Sequence, residues 1–334
     1  MIQIDSRLSL KFANMSIVAA VMVVFLHMGG NPAVGTLNWW PYVIIRQICK
    51  MAVPFFFLAS GFFLVGHADQ PNWYLDALRK RVRTLVVPYF IWSALWIAYF
   101  VPICCRHGGW SDFVRVHFWS FFGLDLMLPP FYSVTWYLRA LIFMILLSPL
   151  LIWLVRRFRW VFVLSLWIAD VVFRILSHDP SGFVFPFFHY AFPLEYFVLG
   201  IGLRLGVLKS LRLPSVFHLM FLVMCFLVVN RFVYVHRILP TLALEGLLIP
   251  LLMVLVWSFS PATSWPRMFT NASFRLYMIH SFALAILTSL VFGVTNNVFL
   301  LVLKTMFAIL LSFATIYVLR KTSPQLAGLM LGGR

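Results

Sequence analysis

Charge is what this sequence has least of. Only 10% of its 334 residues are Asp, Glu, Lys or Arg, whereas a soluble globular domain carries roughly 25%. A water-soluble fold is therefore excluded. Acids are scarcer still: nine Asp and Glu stand against 26 Lys and Arg, a net charge of +17. Cysteine is also sparse. Cys49, Cys104, Cys105 and Cys225 lie in or beside apolar runs without metal-ligand spacing, which argues against a disulfide framework, a zinc site or any other metal centre. They read as reduced packing residues. The chain has no low-complexity linker and no convincing internal repeat.

What it has instead is apolar sequence, 63% hydrophobic and 18% aromatic. About 20 apolar residues cross a bilayer as a helix. That rule predicts spans near 12–30, 51–66, 84–105, 132–155, 160–176, 183–203, 215–230, 238–259, 276–294 and 298–319. The expected fold is an all-α transmembrane helix bundle of about ten spans, forming one domain over residues 1–334. The first run resembles a signal peptide, with Ala33-Val34-Gly35 as a weak cleavage site, but the many later spans favour an uncleaved first helix.

Lys and Arg collect in cytoplasmic loops. With the N-terminus inside, the inner loops hold seventeen cations, including Arg79, Lys80, Arg81 and Arg83. The outer loops hold six, Arg46, Lys50, Arg106, Arg115, Arg231 and Arg237. This predicts both termini in the cytoplasm and reads the basic excess as topology rather than nucleic-acid binding.

The few polar groups inside apolar runs are the candidates for chemistry. His27 follows Lys11 by sixteen residues, about 24 Å along a helix, so its imidazole belongs in the outer half of the membrane. Asn31, Pro32 and Gly35 then break the helix. Ser60-Gly61 and Pro54 permit a bend and a close helix contact in the second span. Arg79, Lys80, Arg81 and Arg83 precede the third span, and read either as plain anchoring or as a phosphate grip. Pro88 predicts an irregular entrance to that span. Residues 106–131 form an aromatic outer loop, suited either to the membrane surface or to stacking on a sugar. Arg139 lies about two turns inside the fourth span, and intramembrane ionisable groups are functional candidates by default. Asp170 and Arg174 are spaced to pair. Glu195 and Glu245 are the remaining intramembrane acids, either of them placed to orient His27 or to neutralise Arg139. Lys304 has no obvious partner. His280 lies five residues beyond Arg275, and is expected on the opposite side of the membrane from His27.

These residues carry a resemblance to a known family. The first-span run ending in His27, "VPFFFLASGFFL", "RKRVRTLVVPYFIWS", "TWYLRALIFMILLSPLL", "FPLEYFVLGIGL" and "SFRLYMIHSFAL" follow one another along nearly the whole chain. In that order they resemble the acyltransferase 3 family of integral membrane enzymes, which O-acylate surface polysaccharides. The family usually has an arginine eleven positions before the first-span histidine; here that position is Ser16.

The resemblance implies an O-acyltransferase, expected to be an O-acetyltransferase, of the bacterial cytoplasmic (inner) membrane. Its donor would be cytosolic acetyl-CoA or another acyl-CoA, and its acceptor a glycan or lipid-linked sugar. No permanently bound cofactor is implied. His27 would be the catalytic group, either as general base or as a nucleophile carrying the acyl group. Arg81 and Arg83 would bind the donor phosphates. Ser60, Trp136, Tyr137, Arg139, Glu195 and His280 would contact substrate. Arg7, Arg139 or the Arg81 and Arg83 cluster would stand in for the arginine replaced by Ser16. The competing reading is a multi-span transporter or flippase. Transporters of that kind often show related halves with paired broken helices, and no such pattern is visible here.

Overall fold

The computed structural model describes residues 4–30, 32, 36–106, 133–176, 194–207, 215–236, 241–266, 269, 271–293 and 295–333. Among the described residues all regular structure is helical. Thirteen α-helices follow in order: α1 (Ser6–Leu26), α2 (Trp39–Cys49), α3 (Ala52–Leu64), α4 (Trp73–Arg81), α5 (Val87–Arg106), α6 (Trp136–Phe158), α7 (Trp160–Leu176), α8 (Leu194–Leu205), α9 (Val216–His236), α10 (Thr241–Phe259), α11 (Ser273–Leu287), α12 (Val298–Thr322) and α13 (Pro324–Met330). Among the described residues six helical stretches are long and apolar enough to cross a membrane: Ser6–Leu26, Trp39–Leu64, Trp73–Tyr99, Trp136–Phe158, Ser273–Val291 and Val298–Thr322. The other four expected spans fall on α7, α8, α9 and α10, with residues 183–193 and 238–240 outside the description.

Helix α1 starts where Asp5 accepts a hydrogen bond from the Leu8 amide at 2.6 Å, capping an otherwise orphaned donor. It ends at His27, and the next glycines, Gly29 and Gly30, take φ of 68° and 89°, which only glycine adopts without strain. The packing partners of α1 are α2, α3, α11 and α12.

The second span begins earlier than expected. Trp39–Leu64 runs as one helical stretch, whereas the sequence reading started at residue 51. Arg46 and Lys50 made residues 39–50 look like loop. In the fold Arg46 is exposed while Trp39, Tyr42 and Cys49 on the same helix are buried. An amphipathic first half is thus carried into the bundle by one face.

The third span also starts earlier, at Trp73. Val82–Val86 is a π-helical turn, closed by the Val87 amide donating to Val82. Pro88 has no N–H to donate, and the wider turn absorbs that defect. The irregular entrance expected from Pro88 is therefore present.

α3 and α8 cross almost backbone to backbone. A Cβ at Gly61 would lie 2.1 Å from the Phe197 carbonyl oxygen, and one at Gly200 would lie 2.0 Å from that of Leu58. Small residues permit such close crossings in membranes, where packing replaces the hydrophobic effect. The pair forms the centre of the core, with Phe57, Phe197 and Ile201 fully buried. Cys49 and Cys225 are free thiols.

Candidate active site

A cavity of about 680 Å³ opens between α1, α3, α4, α6, α11 and the chain after α13. Ligand pockets run to roughly 300–1,000 Å³, so it can hold an extended small molecule. Its wall includes Ser16, Phe56, Ser60, Tyr137, Ser273 and Tyr277, and its basic side is Lys80 and Arg81. Exposed Asp76 and Lys80 stand at the rim. The floor near the C-terminus is Gly332 and Gly333. A Cβ on Gly332 would lie 2.7 Å from the Thr84 carbonyl oxygen, within the π-helical turn.

A ladder of rings leads from this cavity to His27. The Ser60 and Tyr137 hydroxyls are 3.4 Å apart, and the Tyr137 ring lies 5.4 Å from Tyr277. Tyr277 donates its hydroxyl to the Val134 carbonyl, and its ring is 6.0 Å from that of His280. His280 is fully buried and stands 5.1 Å from the His27 ring. His27 itself is exposed. His27 lies eleven positions beyond Ser16 at the cavity, about 16 Å along the helix.

The tautomers follow from the partners. His27 Nδ1 lies 2.9 Å from the Val23 carbonyl oxygen. A carbonyl only accepts, so Nδ1 carries the proton and Nε2 keeps its lone pair. His280 Nδ1 is held the same way by the Tyr277 carbonyl at 2.6 Å, and Ser281 Oγ lies 3.4 Å from its Nε2. The sequence reading looked to Glu195 or Glu245 to orient His27; a backbone carbonyl of its own helix does so.

His280 is not on the opposite side from His27, as its short distance from Arg275 had implied. Arg275 is only 4% exposed, so α11 begins inside the bundle rather than at its surface. The segment before α11 is drawn in by Asn14, whose amide donates to the carbonyls of Pro261 and Thr263 at 2.9 and 2.8 Å.

Of the sequence-predicted residues, Ser60, Tyr137 and Arg81 line the cavity, and His280 meets His27. The others stand elsewhere. Arg83 is exposed, on the π-helical turn, and is not part of the cavity wall. Trp136 is half-buried against Phe57, with ring centroids 6.2 Å apart. Arg139 and Glu195 are buried on α6 and α8, which pack together. The aromatic loop and the side chains of Arg174 and Glu245 lie outside the described residues.

Sequence reasoning missed Ser273 and Tyr277. Their signal was the spacing Ser273, Tyr277, His280, one face of a helix. It also left Lys304 without a role. Lys304 is 1% exposed, and its Nζ donates to the carbonyls of Met28 at 3.2 Å and Gly293 at 3.4 Å.

The comparisons with known proteins bear on this geometry. The family model for the acyltransferase domain matches residues 14–320. The chain belongs to the acyltransferase 3 family. It is also similar to the succinoglycan biosynthesis protein ExoH of Rhizobium meliloti, 28% identical over 176 residues. That match covers 48% of this chain and 47% of the relative, so it spans about half the length of the curated protein. No solved structure matches. Within the family frame, Ser16 faces the same cavity as Lys80 and Arg81. The position where the family usually has a cation therefore opens onto a space already lined by two.

Proposed function

We propose that the protein is a membrane O-acyltransferase of ten spans with both termini cytoplasmic. It moves an acyl group, an acetyl in the simplest case, from cytosolic acyl-CoA to a hydroxyl of a surface polysaccharide or lipid-linked sugar. The inner membrane of a bacterium is its place. The observation that carries this reading is the ring ladder, which joins a cavity with a basic rim to an exposed imidazole at the far end of α1.

In this reading Lys80 and Arg81 hold the donor phosphates, since guanidinium and ammonium groups form charge-assisted hydrogen bonds to them. The pantetheine arm extends along Ser60, Tyr137 and Tyr277. His27 Nε2 takes the proton of the acceptor hydroxyl as its oxygen attacks the thioester carbonyl. The C–S bond breaks, the CoA thiolate leaves with a proton, and the ester remains on the sugar. A transient acyl group on Nε2 is the covalent version of the same transfer. His280 presents its Nε2 as an acceptor beside His27, and the Ser60 and Tyr137 hydroxyls offer hydrogen bonds to the donor's arm in the cavity.

Family membership and the succinoglycan-related similarity favour transfer over transport. The test is the acetyl-ester content of surface polysaccharide in cells carrying the wild-type chain or His27→Ala at equal protein level. Loss of ester in the variant is expected. Full ester with His27→Ala would remove His27 from the chemistry.

A further inference from the structure

We infer that Lys304 is a positioning residue for the two-histidine site, acting by tying together the ends of the helices that carry His27 and His280. The inference rests on the reading of His27 as the reacting group. His27 is the last capped residue of α1, followed by two glycines with positive φ. Nothing helical beyond it fixes the imidazole. α11 continues into a π-helical stretch, Thr288–Phe292, that ends at Gly293. Lys304, on α12, donates to the carbonyl of Met28, one residue past His27, and to that of Gly293. One side chain thereby grips the C-terminal ends of both histidine helices.

The chemistry suits the place. Helix C-termini present unsatisfied carbonyls and the negative end of the helix dipole. Lysine offers three donors and, when protonated, the complementary charge. Lys304 is 1% exposed and forms no ion pair among the described residues. A buried lysine in a membrane helix is expensive and needs a reason. Its neighbour Thr305 reaches the same place: its hydroxyl stands within hydrogen-bond reach of the Met28 sulfur and of the Leu301 carbonyl, and its one proton serves either. The two loops also meet directly, since a Cβ on Gly30 would lie 2.5 Å from the Thr295 carbonyl oxygen. None of these groups lines the donor cavity. Loss of the clamp should therefore disturb turnover and leave donor binding alone.

The experiment measures thiol release from acetyl-CoA by purified protein in detergent, with water as the acyl acceptor, and thermal unfolding of each sample. Lys304→Met is expected to lower kcat by about 10- to 100-fold, the range that follows when a reacting group is misplaced by about 1 Å. KM for acetyl-CoA should stay within about twofold, and Lys304→Arg, which keeps the donors and the charge, should recover most of the kcat. Equal loss in kcat with Lys304→Arg, a kcat within twofold of wild type in Lys304→Met, or a rise in KM matching the fall in kcat would overturn the proposal. Should Lys304→Met not fold, Thr305→Val decides: an unchanged kcat refutes the clamp, and a several-fold fall at an unchanged unfolding midpoint supports it. His27→Ala runs beside these samples. Full activity there defeats the catalytic reading itself, which separates that failure from failure of the clamp.

Discussion

Replacing Gly200 with Ala tests how tightly the cavity wall depends on the α3–α8 crossing. The added Cβ would sit 2.0 Å from the Leu58 carbonyl oxygen and 2.8 Å from the Phe62 amide nitrogen. Both are backbone atoms, so no side-chain rotation relieves the clash. The helices must separate by about 1.4 Å to restore ordinary contact near 3.4 Å. Overpacking of this kind costs about 1–3 kcal/mol. The functional cost should be larger, because Ser60 on α3 lies in the segment that has to move. A displacement of about 1 Å at a reacting site costs on the order of 100-fold in rate. Thermal unfolding in detergent and thiol release from acetyl-CoA read the two effects. Gly328→Ala is the control, since a Cβ there meets nothing within 4 Å. A Gly200→Ala protein with the unfolding midpoint and rate of Gly328→Ala would refute the claim that this crossing is closed to any side chain.

Four further substitutions probe the cavity. Arg81→Gln should raise KM for acetyl-CoA about tenfold or more, since hydrogen bonds to charged groups contribute about 1.5–3 kcal/mol; Arg83→Gln, at an exposed position, should change it less than threefold. Ser16→Arg placed in the Arg81→Gln background should bring that KM back toward wild type, because position 16 opens onto the same space; an unchanged KM would mean that the cations do not share a ligand. Tyr277→Phe removes the hydroxyl that donates to the Val134 carbonyl. It should lower stability by about 1 kcal/mol and lower kcat, and a change in neither would dismiss Tyr277 as a link between the cavity and His280.

Much of the arrangement was legible in the sequence because it depends on local chemistry. The run from Phe12 to Leu26 can only be a buried helix, and the glycines after His27 mark its end. An irregular entrance to the third span was visible in Pro88, though not its π-helical form, and the close crossing was visible in Ser60-Gly61. Other features depend on distant partners. Residues 39–50 carry Arg46 and Lys50, and only packing against α1 and α12 reveals the buried face of that helix. The depth of His280 was misjudged because Arg275 looks like a boundary residue, and its burial depends on Asn14 drawing in a segment nearly 250 positions away. Lys304 could not be partnered from sequence because its acceptors are backbone carbonyls, which every residue has. Ser16 shows the reverse case: its oddity was plain from the motif, and only the fold shows that Lys80 and Arg81 share its cavity.

The most direct test of the account is one rate. Purified wild-type protein and His27→Ala, matched for folding, are given acetyl-CoA with water as the acyl acceptor, and thiol release is followed with a chromogenic thiol reagent. A positioned base contributes about 100- to 10,000-fold, so the account predicts a loss of at least 100-fold in kcat with KM for the donor little changed. A His27→Ala protein that turns over acetyl-CoA at the wild-type rate would contradict it.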